Sequence, residues 1–392
     1  MRRLRTAALG GAAALALTAL AGSPALASTA SAGHPAHSAH WYAMGSLAQV
    51  RDRFIATTID PVTGDINPYG VAIVPVTSKK LVAGDVLVSD FSTFAGTAGA
   101  GTSIVQINPS TGQVSDFAHG GALTGPDSLA FNPKGILWAG DFGPAAGGVF
   151  NGANANVAVM PATGTVAATF NKTTTGKPFF TSVWGQAAGV NSARKLSFYW
   201  TNAGSSSYGG QVWRLDPKPT GTKNGQPLNA TYTLLSTLPA GGTTAATAAG
   251  PQGEVYDAAT DTLYVADDAS NAIYAIPHAS AATHWARPRL VLKGGPLNTP
   301  QGITLNPRTG RLFVVNGAGN NDLIELGQYG RVYGVRNLAP NEPAGALFGL
   351  TFDPAASVRH ATVLYYVNDD ENSLHILTIA SRVLPGLTQD RS

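Results

Sequence analysis

Residues 262–276, TLYVADDASNAIYAI, set Asp267 beside Asp268 and follow them with Ser270 and Asn271. Oxygen-bearing side chains this close together suit a hard cation such as Ca2+. The spacing is not that of an EF-hand loop, because the alternating acids and the late Glu are missing. Asn368, Asp369 and Asp370 repeat the theme near the end of the chain. The candidate metal ligands in these two clusters are Asp267, Asp268, Asn368 and Asp369. No cofactor is expected as a resident group, and Ca2+ or another divalent cation is what such oxygens would take. Asp and Asn also bond their own following backbone and open turns, and that structural role is the expectation for any single one of them. Acid–base chemistry points to Glu254, two positions past Gln252 in a run expected to be an inner strand. Facing a channel, it would be a general base with a pKa raised by burial; facing a neighbouring sheet, it would be paired. Gly-x-Ser-x-Gly elbows and cysteines are absent from the sequence, so neither of those nucleophiles is available. GTAGAG and GPAAGG are loops rather than phosphate cradles, because no helical pattern follows them.

What must position these residues is a repeat. DVLVSDF, GILWAGDF, KLSFYWTN, TLYVADD, RLFVVNG and VLYYVNDD each run from β-branched and aromatic residues into Asp or Asn, then a small polar loop and a second β-rich run. The anchors are Asp90, Asp141, Asn202, Asp267, Asn316 and Asn368, spaced by about 51, 61, 65, 49 and 52 residues, close to the ~40–50 residues of propeller blades. Upstream of each anchor lies a second shared piece: NPYGVAIVP, GPDSLAFNP, SVWGQAAGV, GPQGEVYD, TPQGITLNP and ALFGLTFDP. DPVTG, NPSTG and NPRTG supply turns, with Pro fixing φ and Gly taking positive φ. Helical periodicity is not evident in the mature chain. The expected fold is all-β, a six-bladed β-propeller of four-stranded blades over residues 49–382. The last unit stops at its third strand, HILTIA, and RDRFIATTIDP near the N-terminus resembles a fourth strand. That N-terminal strand is expected to complete the last blade, because each partner would otherwise be an open edge.

In such a blade the starts of the inner strands and the Asp/Asn anchors share one face. The candidate ligand-binding rim is Tyr69, Asp127, Trp184, Gln252, Gln301 and Phe348. Tyr69, Trp184 and Phe348 could stack on a sugar or another flat ligand, although aromatics on short strands more often pack between blades. The loops 91–101 and 142–154 are expected to rise beside the rim.

The segments PQGEVYDAATDTLYVADDASNAIYAI and PQGITLNPRTGRLFVVNGAGNNDLIEL resemble NHL-type repeats, and more broadly the gluconolactonase / senescence-marker-protein group. Virginiamycin B lyase and the strictosidine-synthase-like proteins belong to the same circle. The resemblance covers roughly residues 50–380 and implies a six-bladed propeller of an exported bacterial protein. In lactonase-like members it implies a metal at the channel mouth, held by an early Glu, an Asn and a late Asp. Asn202 and Asp267 could imitate two of these, but Asn67-Pro68-Tyr69-Gly70 stands where the Glu would be. The histidines His119, His278, His284, His360 and His375 share no repeat position, unlike the zinc ligands of amidating-lyase propellers.

Residues 1–27 read as a signal peptide: a basic start, an Ala/Leu/Gly run and Ala25-Leu26-Ala27 before cleavage. Residues 28–48, with His34, His37 and His40, read as a flexible leader, and 383–392 as a tail. The chain has 25 Lys+Arg and 22 Asp+Glu; the three arginines at the start account for the difference. A neutral mature protein has no global field for nucleic acid or an anionic membrane. Without cysteine, a secreted chain must hold itself by burial and hydrogen bonds. The expected function is a secreted, monomeric, non-catalytic module that binds a small molecule, glycan or protein at the mouth. The alternative is an extracellular lactonase- or lyase-like enzyme with a metal at the same place. An enzyme predicts acids or histidines converging in the channel; a binding module predicts aromatics and amides with no perturbed acid.

Overall fold

The computed structural model describes residues 45–143, 156–170, 180, 182–191, 193, 195–204, 209–217, 222–223, 226–227, 230–242, 248–317, 319–353, 355 and 361–380. The expected signal peptide, the leader histidines, His360, most of the loop 142–154 and the expected tail lie outside them.

Six antiparallel four-stranded sheets follow one another along the chain, and their first strands are neighbours around a common axis. These inner strands are Ile66–Ile73, Pro126–Phe131, Val183–Val190, Pro251–Asp257, Pro300–Leu305 and Leu347–Asp353. The expected six-bladed propeller is the fold observed. Each second strand is wedged between neighbouring blades, so both of its faces are covered. Thr262–Asp267 and Leu312–Asn316 are buried at every position, which is why they read as unbroken apolar runs rather than alternating ones. Fourth strands lie at the circumference and are only partly buried, as in Val114–His119.

The ring closes as the sequence suggested. Val50–Thr57 pairs antiparallel with Ser373–Ala380, from Val50 opposite Ile379 to Thr57 opposite Ser373, and so becomes the fourth strand of blade six. The end of the expected leader belongs to this closure: Gly45–Gln49 form a 3-10 turn, and Leu47 is buried with Phe313 and Leu377. Blade three carries an addition, a small hairpin of Thr222–Lys223 and Gln226–Pro227 between its third and fourth strands. That insertion accounts for the longest anchor spacing.

Glycine sets the width of the axis. Five inner strands carry Gly directly after the rim position, and four of these, Gly185, Gly253, Gly302 and Gly349, meet the next blade in the same way. A Cβ on each would come closer than 3.0 Å to the carbonyl oxygen of Gln252, Gln301, Phe348 and Tyr69 respectively, the matching residue of the next blade. None of these glycines has positive φ, so they are strand residues that admit a neighbouring backbone, not the turn residues that the Pro-x-Gly context of Gly253 and Gly302 suggests. The true turn glycines are those of DPVTG, NPSTG and NPRTG: Gly64, Gly112 and Gly310, at φ of 73°, 72° and 67°.

Candidate functional site

At or near its start each inner strand sets Pro, Val or Leu opposite the anchor of its own blade: Pro68 with Asp90, Pro126 with Asp141, Val183 with Asn202, Pro251 with Asp267, Pro300 with Asn316 and Leu347 with Asn368. Immediately afterwards the register slips in all six blades. An extra residue there bends the strand and re-aims a side chain. The residues at the slip are Tyr69, Asp127, Trp184, Gln252, Gln301 and Phe348, and all six line one axial void. The sequence-derived rim is thus a single spatial ring, one residue per blade. The residues two positions further on form a second layer, in which Gln186 and Glu254 face Val71, Leu129, Ile303 and Leu350. The cavity volume is about 90 Å3, room for a few waters at roughly 15 Å3 each.

The aromatic members pack on one another. Tyr69 stacks on Phe348 with ring centroids 3.9 Å apart and touches Trp184 at 5.4 Å. Phe91 and Phe142 complete the cluster against Trp184, at 5.3 and 4.9 Å. Tyr69, Trp184 and Phe348 are at most 8% exposed, so the rings fill the mouth and hold one another in place. Phe91 and Phe142, each directly after an anchor, were not picked out from the sequence; the recurring Asp-Phe is the signal that marks them. The loop expected over 91–101 is largely strand, since pairing resumes with Ser92 opposite Ala98.

Two acids enter the axial void, not one. Glu254 is fully buried, and neither carboxyl oxygen has a hydrogen-bond partner. Burial pushes its pKa well up; the Ala187 amide opposes this from outside hydrogen-bonding geometry. Asp127 also lies within an inner strand, and burial followed by the charge of Asp141 raises it well above the usual carboxylate range. Ser128 donates to its Oδ1 at 3.1 Å, while Oδ2 is unpartnered. Burial thus favours the neutral form of both carboxyls, a form that can donate as well as accept. Trp184 Nε1, Gln186 Oε1 and Gln301 Oε1 are also unpartnered. Glu254 loses folding stability as pH rises from its unfolded value, about 4.3, because the raised folded pKa resists ionisation. Glu254→Gln should therefore raise the pH 8 stability by about 1–3 kcal/mol and have a smaller effect at pH 5, as read from urea denaturation at the two pH values.

The opening Asp pair divides its work. Asp267 accepts the amide of Ser270 at 3.2 Å, an ordinary turn bond. Asp268 reaches back across the blade, accepting Gly250 N–H at 2.6 Å and Gln252 Nε2 at 3.1 Å, so it positions a rim amide. Burial raises Asp267 to about 6 and Asp268 to about 7, and Asp369 also reaches about 7 through burial and Asp370. After burial, Asp369, Asp127 and Asp268, from blades six, two and four, are what hold the Tyr69 phenol far above its ordinary value. The Asn anchors serve their own loops: Asn316 donates to Pro296 O and Asn320 Oδ1, and Asn368 donates to Glu342. Among the described residues, no three His, Asp or Glu side chains are grouped to hold a metal ion. The metal candidates Asn202, Asp267, Asp268, Asn368 and Asp369 remain distributed over blades three, four and six. His119 and His375 stand on fourth and third strands, away from the axis.

No protein-family model matches the chain, and no curated protein matches it by sequence. Solved structures do match. A gluconolactonase from Xanthomonas campestris has 16% identity over 86% of this chain and 93% of its own, with a TM-score of 0.58. An auxiliary nutrient binding protein from Bacteroides thetaiotaomicron has 10% identity over 84% and 76%, with a TM-score of 0.53. A glucose dehydrogenase has 12% identity over 84% and 99%, with a TM-score of 0.50. At these identities the likeness establishes the shared fold, and that fold hosts both enzymes and binding proteins.

Proposed function

We propose that this chain is an exported, monomeric, non-catalytic binding propeller that takes a small hydroxyl-bearing ligand at the Tyr69–Phe348 end of its axis. The observation that carries this is the ring itself: three aromatic faces, two amides and a carboxyl, one from each blade, around one void. Its unpartnered atoms are both donors and acceptors: Trp184 Nε1 donates, Gln301 Oε1 and Gln186 Oε1 accept, and the Asp127 and Glu254 carboxyls, whose pKa burial raises, donate in their neutral form. A neutral polyol or sugar offers the same mixture of hydroxyl donors and acceptors beside apolar faces that suit aromatic rings. Export is supported by the first 27 residues of the sequence, with their basic start and Ala25-Leu26-Ala27 end.

The test is calorimetric titration of the purified mature protein with a panel of monosaccharides and linear polyols. Trp184→Ala should weaken the ligand found by about tenfold or more, as truncation of a central aromatic contact does. No heat from any member of the panel would sink the reading.

A second reading follows from the same acids. Glu254 and Asp127 have the raised pKa of general acids in a void, which favours a lactonase- or lyase-like enzyme. Lactone hydrolysis by the wild type, lost in Glu254→Gln, would establish it over the binding reading. Elemental analysis and melts with and without chelator decide whether Ca2+ or another divalent cation takes part.

A further inference from the structure

We propose that the face opposite the mouth, across blades four and five, binds an acidic polysaccharide through an arginine–tyrosine platform. Residues 287–336 hold seven Lys+Arg against two Asp+Glu, in a chain whose whole balance is only +3. The topology sorts these charges. Turns joining first to second and third to fourth strands lie on the far face, and Arg289, Arg308, Arg311, Tyr329 and Arg331 stand in or beside such turns.

Their side chains are assembled into a surface. Tyr329 is 84% exposed at the tip of its turn. The Arg289 guanidinium sits 5.0 Å from the centre of its ring and donates to Gln328 O at 3.0 Å. Gln328 in turn donates to Asp257 of blade four and to Gly310 O of blade five, both at 3.1 Å, which ties the platform across the blade boundary. Arg311 and Arg331 both lie over Tyr333, at 3.7 and 5.1 Å. The nearby acids face inward: Glu325 is buried and bonds Arg311 at 2.7 Å, and Asp257 is engaged by Ala259, Thr260 and Gln328. Arg289 and Arg331 have no carboxylate partner among the described residues.

An exposed aromatic ring with the Arg289 fork over it, and the Arg331 fork on the neighbouring Tyr333, fits a pyranose bearing a carboxylate. The ring stacks on the sugar, and the planar fork donates to both carboxylate oxygens. Nucleic acid fits less well, since its affinity rests on many neutralised phosphates along a backbone rather than on a fork beside an exposed ring. This site is separate from the mouth and stands or falls independently of the reading given for it.

Binding is measured by retention of the full mature protein on immobilised polygalacturonate, beside its neutral methyl ester and a single-stranded DNA. The wild type should be held by polygalacturonate, released by salt, and pass through the ester. Arg289→Gln with Arg331→Gln should weaken retention by about tenfold or more, and Tyr329→Ala should weaken it with an unchanged melt. Equal retention on the ester, tighter retention on DNA, or a double variant that binds like the wild type would overturn the proposal. So would wild-type self-association that the double variant abolishes.

Discussion

Gly349→Ala is expected to destabilise the protein by about 3 kcal/mol or more, at the upper end of what overpacking a close contact costs. The added methyl would overlap the Tyr69 carbonyl oxygen and crowd Val71, where the inner strands of blades six and one meet. The strained contact cannot relax locally. Tyr69 is held by its stack on Phe348, and blade six is the one closed by the N-terminal strand. Moving either backbone outward opens the ring at its seam and loosens the mouth with it. Gly302→Ala, against the Phe348 carbonyl, should behave alike. Gly241→Ala is the control, because a Cβ there meets nothing within 4 Å and φ is not positive. The midpoints of urea denaturation for the three variants decide the matter. A Gly349→Ala midpoint equal to that of Gly241→Ala would show that glycine does not set the axial width.

The propeller was legible because its signal is repeated. Six β-rich runs ending in Asp or Asn give the period, and a missing fourth strand at one end with a spare at the other gives the closure. The rim was legible for the same reason, since a position in one blade predicts its counterparts. What the ring does with those residues was not. A bulge is a property of register between two strands, so nothing in Gly-Pro-Asp-Ser or Thr-Pro-Gln-Gly alone shows that Asp127 or Gln301 is the extra residue. The central glycines look like turn formers until the neighbouring blade places a carbonyl against them. Glu254 could be identified as an inner-strand acid, but whether a partner met it depended on Gln186 and Ala187 of another blade. Aromatics and amides, expected of a binding module, and perturbed acids, expected of an enzyme, occur together in the one void. Burial alone produces such shifts, so they do not separate catalysis from binding as the sequence argument assumed.

The closure itself should make stability depend on pH in a way that one side chain controls. Asp52, on the N-terminal strand, accepts the Tyr366 hydroxyl at 2.7 Å and faces His375 Nδ1 at 3.2 Å. His375 Nε2 faces Glu371 at 3.2 Å and Ser373 Oγ at 2.9 Å. Carboxylates on both sides of one imidazole favour the doubly protonated ring, which donates from each nitrogen. Burial alone would lower the His375 pKa, but hydrogen bonds and charge from Asp52, then Glu371, outweigh it and leave the pKa raised. A raised folded pKa means that the contribution is full below the unfolded value, about 6.5, and is lost as pH rises through the folded one. Glu371, whose pKa is lowered, contributes above its unfolded value and loses that as pH falls. The channel acids also favour low pH, so the wild-type melt alone does not isolate the clasp; the difference from His375→Ala does. That difference should be largest near pH 5.5 and shrink by about 1 kcal/mol toward pH 9, for a pair that is partly screened by solvent. Asp52→Ala should cost more, about 2–3 kcal/mol, because it leaves the buried Tyr366 hydroxyl without its acceptor. If the clasp seals the ring, Asp52→Ala will also speed amide exchange in Ser373–Ala380 ahead of the other blades. Uniform exchange around all six blades would instead mean that the N-terminal strand is held by its backbone ladder alone.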